Sequence, residues 1–401
     1  MKTIKDPVHG HVRVSDDLLP LLDAPHVQRL RYVRQLGFSH LVYPGANHSR
    51  FEHSVGTMYL AGTMARELGF DDAECRLAEA AGLLHDIGHG PFSHATEPLL
   101  NEFCGRGHDD IAHLLIEDLG PSLSKAGVDP DEIAAMVDGS HRYAGIIHGD
   151  LDVDRMDYLM RDAHYTGVPY GTVDPDRLIH SSAINEEYGL YLRENGIHSA
   201  ESLLLARTLM RPSVYYHHVS RIAESMIVMA SFAHATAMGE EAYHELVRMD
   251  DFAFIAALLS SPSKEAVSLT RGILGRRLYK RAVYVGQDQV NAEGYREGVS
   301  VIRSREIAGA IAAEAGIDEI TVLVDIPAFP SEMRMGVRVE NHYDLKSLEE
   351  LSPLLTALNK ARKGQWRLGI YTVPGQQEVV ADAAGRVLSI KKPTKQDKLI
   401  L

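Results

Sequence analysis

The segment Ala80–His94, AAGLLHDIGHGPFSH, carries three histidines and one aspartate directly behind an apolar helical run. His85 and Asp86 are adjacent near the end of the predicted helix. Neighbouring helix positions point about 100° apart, so both side chains can reach one ion off the helix end. His89 follows one turn later on the same side. Since one such pair cannot hold a metal ion alone, the fold must bring further ligands to this point.

Two other segments offer those ligands. SRFEHSVG places His53 on a preceding amphipathic helix, and DLDVDRMDYLMRDAHYTG supplies Asp154. A helical projection of the second segment gives one apolar face and one polar face. The apolar face holds Met156, Leu159, Met160 and Ala163, and the polar face holds Asp154, Arg155, Tyr158, Arg161 and Asp162. A solvated surface helix gives the same pattern in isolation, but the segments together favour a metal site. Imidazole and carboxylate ligands suit Mn, Fe, Ni, Co or Zn rather than Ca.

The spacing of apolar residues predicts a mainly helical chain with a smaller α/β lobe. Helices are expected over FEHSVGTMYLAGTMARELG, over DDAECRLAEAAGLLHDIGH up to Gly90-Pro91, and over residues 252–275. Near the C-terminus, ITVLVDIPAF and WRLGIYTVPG are typical of strands, with a helix through LEELSPLLTALNKARKG between them. At 401 residues the chain is too long for one ordinary core. We therefore expect a helical domain over residues 1–275 and an α/β lobe over residues 276–401.

Composition restricts the partners. The net charge of −14 disfavours tight nucleic-acid binding, although a local positive pocket could still take an anionic small substrate. No apolar run approaches the roughly 18 residues of a membrane span, so no membrane partner is expected. Cys75 and Cys104 are the only cysteines, and the N-terminus shows no signal peptide. These features predict a cytoplasmic protein without a disulfide scaffold or a Cys-rich zinc module.

The order of His53, His85-Asp86 and Asp154 resembles the H…HD…D signature of the HD-domain metal phosphohydrolases. The blocks KDPVHGHVRV, QRLRYVRQLGFSHLVYPGANHSRFEHSVG, GLLHDIGHGPFSH and DVDRMDYLMRDAHYTG are similar to those of the SAM-and-HD-domain deoxynucleoside triphosphate (dNTP) triphosphohydrolases and their prokaryotic relatives. RGILGRRLYKRAVYVG resembles the start of their C-terminal lobe. The resemblance extends over about residues 4–285, and we expect a relative without a SAM domain.

The resemblance implies an HD-domain helical core and a metal-dependent hydrolysis of dNTP to deoxynucleoside and triphosphate. The implied metal ligands are His53, His85, Asp86 and Asp154, which leave two octahedral positions for water and substrate. Manganese or another of the transition metals named above is expected, and magnesium is a further candidate. The implied partners are a nucleotide substrate, other copies of the chain in a dimer or tetramer, and a guanine nucleotide activator.

The resemblance also implies a role for individual side chains. The phosphate clamps are Arg50, Arg155 and Arg207, with His89 and His94 donating beside them. The catalytic acid–base group is His108 with its acidic neighbour Asp109, and His89 belongs to the same catalytic set. The sugar-binding positions are Gln35, Tyr158, Asp162 and Tyr215. The guanine-reading positions are Asp23, Gln28 and Arg31, whose donors and acceptors suit guanine.

Two departures and several alternatives stay open. Arg155 stands where the nearest relatives have lysine, and Arg211 falls where relatives carry a histidine near the base or sugar, which puts phosphate geometry, base preference and deoxyribose stringency in question. HDIGH also has the H-x-x-x-H spacing of zincin proteases, but those need Glu at the position of Asp86. The GYP-type motif of cyclic-dinucleotide phosphodiesterases is not found. An HD hydrolase for another phosphorylated metabolite and a non-enzymatic binding protein are the remaining alternatives.

Overall fold

The computed structural model describes residues 1–185, 187, 189–329, 337–341 and 344–391. Helices dominate this part of the chain, which confirms the predicted mainly α class with a smaller C-terminal α/β part. The earlier helices are α1 (Leu19–Leu22), α2 (Pro25–Arg29), α3 (Arg50–Glu67), α4 (Asp72–Leu84), α5 (Glu97–Phe103), α6 (Ala112–Glu117), α7 (Gly120–Ala126), α8 (Pro130–Asp138), α9 (Val153–Thr166), α10 (Pro175–His180), α11 (Ile197–Met210), α12 (His218–Met238), α13 (Glu241–Leu246), α14 (Asp251–Leu259) and α15 (Lys264–Leu274). The later helices are α16 (Val301–Ala315), α17 (Leu348–Leu351), α18 (Pro353–Gly364) and α19 (Gln377–Val387).

The paired helices α3 and α4 carry the first two segments singled out in the sequence. Ser49 and Glu52 form a capping box at the start of α3, and Asp71 caps α4 by accepting from two backbone N–H groups. At Gly82 of α4, a Cβ atom would lie 3.0 Å from the backbone of Met58 in α3. Glycine at this position therefore lets the two helix backbones approach closely.

The helix α4 ends earlier than predicted. It stops at Leu84 rather than at Gly90-Pro91, and His85 is its C-cap. From there the chain continues in tight turns, in which the N–H of Ile87 bonds to the carbonyl of Leu84 and the N–H of His89 bonds to that of Asp86. The backbone bends because these three-residue bonds replace the helical ones. His85 and Asp86 thus lie at the helix end, as the metal hypothesis requires.

The helix α9 carries the third segment, and its polar face is not solvated. Arg161 is 0% exposed, and Asp157 and Asp162 are also buried. The alternative of an ordinary surface helix is therefore wrong, because the polar face packs against α3. The contact is close: a Cβ atom at Gly56 of α3 would lie 1.9 Å from a carboxylate oxygen of Asp157.

The strands form small sheets around the helical core. They are β1 (Lys2–Asp6), β2 (Gly10–Val14), β3 (Ser182–Asn185), β4 (Gly189–Arg193), β5 (Lys280–Val285), β6 (Val322–Asp325), β7 (Arg338–Asn341), β8 (Asp344–Ser347) and β9 (Leu368–Thr372). β1 and β2 form an antiparallel hairpin, and β5, β9 and β6 form an antiparallel sheet in that order. The strands predicted near the C-terminus are β6 and β9, and the helix predicted between them is present as α17 and α18.

The remaining sheet joins distant parts of the chain. Its order is β3-β4-β7-β8, and β4 runs parallel to β7, with Leu192 opposite Val339. Val339, Leu348 and Leu355 belong to the same apolar cluster as α3 and α4. The C-terminal part therefore interlocks with the helical core, and the boundary at residues 275 and 276 stays a prediction. Among the described residues, no helix is long and apolar enough to cross a lipid bilayer.

Candidate metal centre and substrate cavity

The structure brings the four predicted metal ligands together from three helices. The Nε2 atom of His53 on α3 lies 3.3 Å from Nε2 of His85, 2.9 Å from an oxygen of Asp154 and 3.7 Å from an oxygen of Asp86. Nε2 of His85 lies 3.3 Å from Asp86 and 3.6 Å from Asp154. Ligands about 2.1 Å from one ion stand about 3.0 Å apart at right angles and somewhat further at wider angles. These separations fit a transition-metal ion.

Hydrogen bonds on the far side of each ring fix which nitrogen faces the centre. Nδ1 of His53 bonds to Asp157 at 2.7 Å, and Nδ1 of His85 bonds to the carbonyl of Gly82 at 2.9 Å. A histidine ligand normally donates its other N–H to a carboxylate or a carbonyl in this way, which presents the free nitrogen to the metal. Sequence reasoning missed Asp157, although it follows Asp154 by three residues and precedes Arg161 by four on the same helix face.

The electrostatics of the centre also suit a cation. Burial lowers the pKa of His53, but the carboxylates of Asp154 and Asp157 outweigh it and raise that pKa to about 10. The same kind of competition raises the pKa of His85, with Asp86 as the main opposing charge. The surrounding carboxylates thus favour positive charge at both imidazoles. A divalent cation bound by His53, His85, Asp86 and Asp154 would supply that charge and displace any proton on the ligand nitrogens.

A strained turn follows the metal ligands. Phe92 and Ser93 both have positive φ, at 54° and 56°, a conformation that non-glycine residues rarely adopt. The buried carboxylate of Asp251 accepts from the N–H of Phe92 at 2.7 Å and from the N–H of Arg34 at 3.1 Å. Arg29 donates to the carbonyls of Ile87 and His89 at 3.0 and 2.6 Å. The turn is therefore fixed from two sides.

Three of the predicted site histidines gather around one carboxylate that sequence reasoning missed. Nδ1 of His108 lies 2.7 Å from Glu97, Nδ1 of His94 lies 3.4 Å from it, and His89 lies 3.9 Å from it. Glu97 follows His94 by three residues at the start of α5, which was its signal in the sequence. Asp109, the predicted partner of His108, borders the cavity but is exposed. The carboxylate that bonds to His108 is that of Glu97.

The pKa values of two histidines in this cluster are shifted in opposite directions. Burial and the charges of Arg50 and His108 hold the pKa of His89 well below its usual value. Burial also lowers the pKa of His108, but the hydrogen bond and the charge of Glu97 outweigh it and raise that pKa overall. The rings of His89 and His108 stack with centroids 3.9 Å apart. Two imidazoles with different proton affinities thus lie side by side, which suits acid–base chemistry.

The three predicted phosphate clamps are placed differently. Arg50 borders the cavity, donates to Asp86 at 2.6 Å and to Ser93 at 2.7 Å. Arg207 borders the same cavity from α11. Arg155 is not among the described residues that line the cavity, and its guanidinium donates to Asp152 at 2.5 Å. Its clamp role stays a prediction that requires this side chain to turn.

The four predicted sugar-binding side chains all line the cavity. The Tyr215 hydroxyl donates to Asp162 at 2.8 Å, and His48 donates to the other oxygen of Asp162 at 2.9 Å. The rings of Tyr158 and Tyr215 lie 6.1 Å apart at a steep angle. The side-chain oxygen of Gln35 is buried and has no partner among the described residues. These groups offer hydrogen bonds beside an aromatic wall.

A cavity of about 800 Å³ is lined by the four metal ligands, the three histidines around Glu97, Arg50, Arg207 and the four sugar-binding side chains. Its volume lies in the usual range for small-molecule sites.

The predicted guanine-binding residues are not among the described residues that line this cavity. Gln28 donates to the carbonyl of Leu22 and accepts from Arg31 at 2.7 Å, Arg31 covers the ring of Phe51 at 3.5 Å, and Asp23 is exposed beside Lys2 at 3.3 Å. Gln28 and Arg31 therefore bond to each other, whereas the carboxylate of Asp23 pairs with Lys2.

Sequence comparison assigns the class of this protein. Residues 50–162 match the HD domain, and residues 173–399, more than half of the chain, match a family described as the HD associated region. The chain belongs to the HD-domain family with its HD-associated region, which confirms the resemblance seen in the sequence. An uncharacterized protein of Methanocaldococcus jannaschii is 33% identical over 377 residues, which cover 92% of this chain and 79% of that protein.

Two further relatives carry functional names. The deoxynucleoside triphosphate triphosphohydrolase SAMHD1 of Homo sapiens is 30% identical over 351 residues, which cover 72% of this chain. The match spans only 55% of the length of that enzyme. A solved phosphohydrolase structure from Bacteroides thetaiotaomicron is 26% identical, with a TM-score of 0.71, and the match covers 93% of this chain and 99% of that chain. At this level the chain is an HD-domain phosphohydrolase with a side-chain cluster able to hold a metal ion.

Proposed function

We propose that this chain is a metal-dependent dNTP triphosphohydrolase, which converts a dNTP and water into a deoxynucleoside and triphosphate. The observation that supports it most is the juxtaposition, in one cavity, of the four metal ligands, Arg50 and Arg207, and the Asp162–Tyr215 pair. The relationship to SAMHD1 supports the same substrate class. Manganese, iron, nickel, cobalt and zinc all suit two imidazoles and two carboxylates, and magnesium is a further candidate.

The reaction places distinct demands on the side chains. The water oxygen bonds to the α-phosphorus, the bond from phosphorus to the 5′ oxygen breaks, and that oxygen takes up a proton to become a hydroxyl. A bound metal would lower the pKa of the attacking water and polarise the phosphoryl oxygen. Nδ1 of His108 is held by Glu97, so its Nε2 is the nitrogen left to deliver the proton. Arg50 and Arg207 would neutralise the phosphate chain.

The sugar end of the substrate would lie against Tyr215. The carboxylate of Asp162 can accept from the 3′-hydroxyl, and the unpartnered side-chain oxygen of Gln35 can accept from a second donor. A tight wall at the Tyr215 ring would exclude a 2′-hydroxyl. Arg211 borders the same cavity at a position where relatives carry a histidine, so the base preference of those relatives does not carry over to this chain.

The deciding experiment is a substrate screen with product analysis. The purified protein is incubated with the four dNTPs, the four NTPs and phosphomonoesters, each with Mn, Mg, Co or Ni, and products are separated by chromatography. We expect triphosphate and deoxynucleoside from at least one dNTP. Monophosphate with pyrophosphate, or diphosphate with phosphate, would contradict the proposed bond cleavage. Release of phosphate from monoesters alone would favour the other HD hydrolase alternative.

A pair of variants ties the activity to the metal centre. Asp154→Asn removes one ligand charge and should abolish turnover together with bound metal, measured by elemental analysis. Asp176→Asn, an exposed aspartate in the first turn of α10, makes the same chemical change away from the cavity and should leave both unchanged. Full metal content and full turnover in Asp154→Asn would refute the ligand assignment.

A further inference from the structure

An arginine from the C-terminal part of the chain borders the cavity, beyond the blocks of residues 4–285 from which the resemblance was read in the sequence. Arg362 lies in the last turn of α18 and is only 4% exposed. Its side chain lines the cavity, and its Nη1 atom is buried without a hydrogen-bond partner among the described residues. A buried guanidinium nitrogen with no acceptor is costly unless a ligand supplies one.

Two other arginines surround it. The charges of Arg207 and Arg211 act on Arg362, and Arg207 also acts on Arg211. The guanidinium of Arg211 lies 4.1 Å from the ring centre of Tyr216, where a cation is favoured, although a ring cannot neutralise the group. None of the three arginines forms an ion pair with a carboxylate in the described part of the chain. We call Arg207, Arg211 and Arg362 the arginine cluster.

A neighbouring arginine shows what neutralisation looks like in this cavity. Arg221 also borders it, but its guanidinium bonds to both oxygens of Asp325 and to Glu224. Arg362 has no such carboxylates, and burial together with the charges of Arg207 and Arg211 lowers its pKa to about 10. Even so, it stays protonated at neutral pH. The arginine cluster is thus a concentration of uncompensated positive charge, and an anion is the missing partner.

The position of the cluster relative to the metal centre indicates which part of a ligand would reach it. Tyr158 is close to both: its ring centre is 6.4 Å from that of His53, and the charge of Arg207 acts on its hydroxyl. Tyr158 is in turn among the groups that act on Arg362. A chain of phosphates that starts at the metal ligands and passes Tyr158 would therefore end at the cluster.

We propose that the arginine cluster binds the terminal phosphates of an oligophosphate chain, and that Arg362 makes the site select triphosphates over monophosphates. The assignment of the bound group to a nucleotide substrate rests on the proposed function, whereas the binding of an oligophosphate does not. Arg362 and Arg211 then act as specificity residues contributed by α18 and by the π-helical turn Arg211–Tyr215. Guanidinium groups suit this task because each forms paired bonds with phosphate oxygens.

The test measures binding directly and needs no turnover. Isothermal titration calorimetry compares inorganic triphosphate with inorganic phosphate on the purified, metal-containing protein and on Arg362→Gln, Arg362→Lys and Lys360→Gln. Lys360 is an exposed cation on the same helix and is the matched control. We expect Arg362→Gln to weaken triphosphate binding about 10- to 100-fold, as for one lost charge-assisted contact, with phosphate affinity unchanged. The lysine variant should lie in between, and Lys360→Gln should match the wild type.

A thermal melt without any anion distinguishes binding from folding. Because Arg362 has no carboxylate partner, Arg362→Gln should melt no lower than the wild type, and the stabilisation by triphosphate should shrink. Should that variant fold poorly, Arg211→Gln supplies the same binding test on another member of the cluster. Equal triphosphate affinity in the wild type, Arg362→Gln and Arg211→Gln would overturn the proposal. A protein that hydrolyses no dNTP but loses triphosphate affinity in Arg362→Gln would refute the proposed function and support this inference.

Discussion

Replacing Asp157 by asparagine should weaken both the fold and the metal centre, because this carboxylate serves both. It is 0% exposed and accepts hydrogen bonds from His53 at 2.7 Å, from His9 at 2.6 Å, and from two nitrogens of Arg161 at 2.9 and 2.8 Å. Asparagine keeps the shape, removes the charge and turns one acceptor into a donor. Asp6, at 2.9 Å, is then the one carboxylate left to Arg161 among the described residues.

The size of each effect follows from these contacts. Removing one partner of a buried ion pair lowers the free energy of unfolding by about 3–5 kcal/mol. Because Arg161 keeps its bond to Asp6, we expect a loss of about 3 kcal/mol. His53 loses the partner that orients its ring, and loss of such a partner lowers metal affinity about 10- to 100-fold. Urea unfolding followed by circular dichroism measures the first quantity. Competition with a chelator of known affinity measures the second.

A surface ion pair provides the control. Glu306 and Arg303 are 2.6 Å apart, and both side chains are more than half exposed. Glu306→Gln removes the same charge, and an exposed pair contributes less than about 1 kcal/mol. If Asp157→Asn lost no more stability than Glu306→Gln and held metal as tightly as the wild type, the reasoning from the buried contacts would be refuted.

Three other groups give outcomes that depend on pH or on a ligand. Burial raises the pKa of Asp251 to about 6, above its unfolded value, so its contribution to stability is full below pH about 4 and is lost as pH rises through 6. Relative to the wild type, Asp251→Asn should remove about 2–3 kcal/mol of the change in the free energy of unfolding between pH 4 and 7, measured by urea unfolding at each pH. Glu97 raises the pKa of His108, so Glu97→Gln should move the alkaline limb of the pH profile of kcat to lower pH. His108→Ala should lower kcat about 10²–10⁴-fold with the metal retained. An unchanged pH profile in the first variant and a near-normal kcat in the second would show that His108 is not the catalytic acid. If a guanine nucleotide binds at Asp23, GTP should increase assembly and dATP hydrolysis in the wild type but not in Asp23→Ala, and sedimentation and turnover that are the same in all four conditions would leave a constitutive enzyme.

The helical core could be predicted because its signals are local. The apolar spacing after Phe51, the capping residues around Asp71 and the polar face that begins at Asp154 each specify one helix, and all three helices are present. The gathering of His53, His85, Asp86 and Asp154 needed the family signature as well, because spacing alone does not say which helices meet.

The contacts that the sequence could not give are those between residues far apart in the chain. Asp251 reaches the turn at Phe92 across 159 positions, and Arg362 reaches the cavity from α18, for which the sequence offered no site signal. Glu97 is only eleven residues from His108, but the adjacent Asp109 was the predicted partner. In the structure the carboxylate of Glu97, and not that of Asp109, bonds to His108. The pairing of β4 with β7 could not be predicted either, because the two strands are far apart in the chain and neither has a clear periodic pattern.

The contacts of Arg29 have a mechanical consequence. Its guanidinium joins α2 to the carbonyls of Ile87 and His89, and also to the carbonyl of Met249. Gln28 and Arg31 flank it in the chain. Two hydrogen bonds through a single rigid, planar group therefore join the short helix to the turn that follows the metal ligands, and a third joins it to Met249. A displacement of α2 by even one ångström would either pull the backbone of His89 with it or break those bonds, so the N-terminal segment and the imidazole of His89 form one moving part.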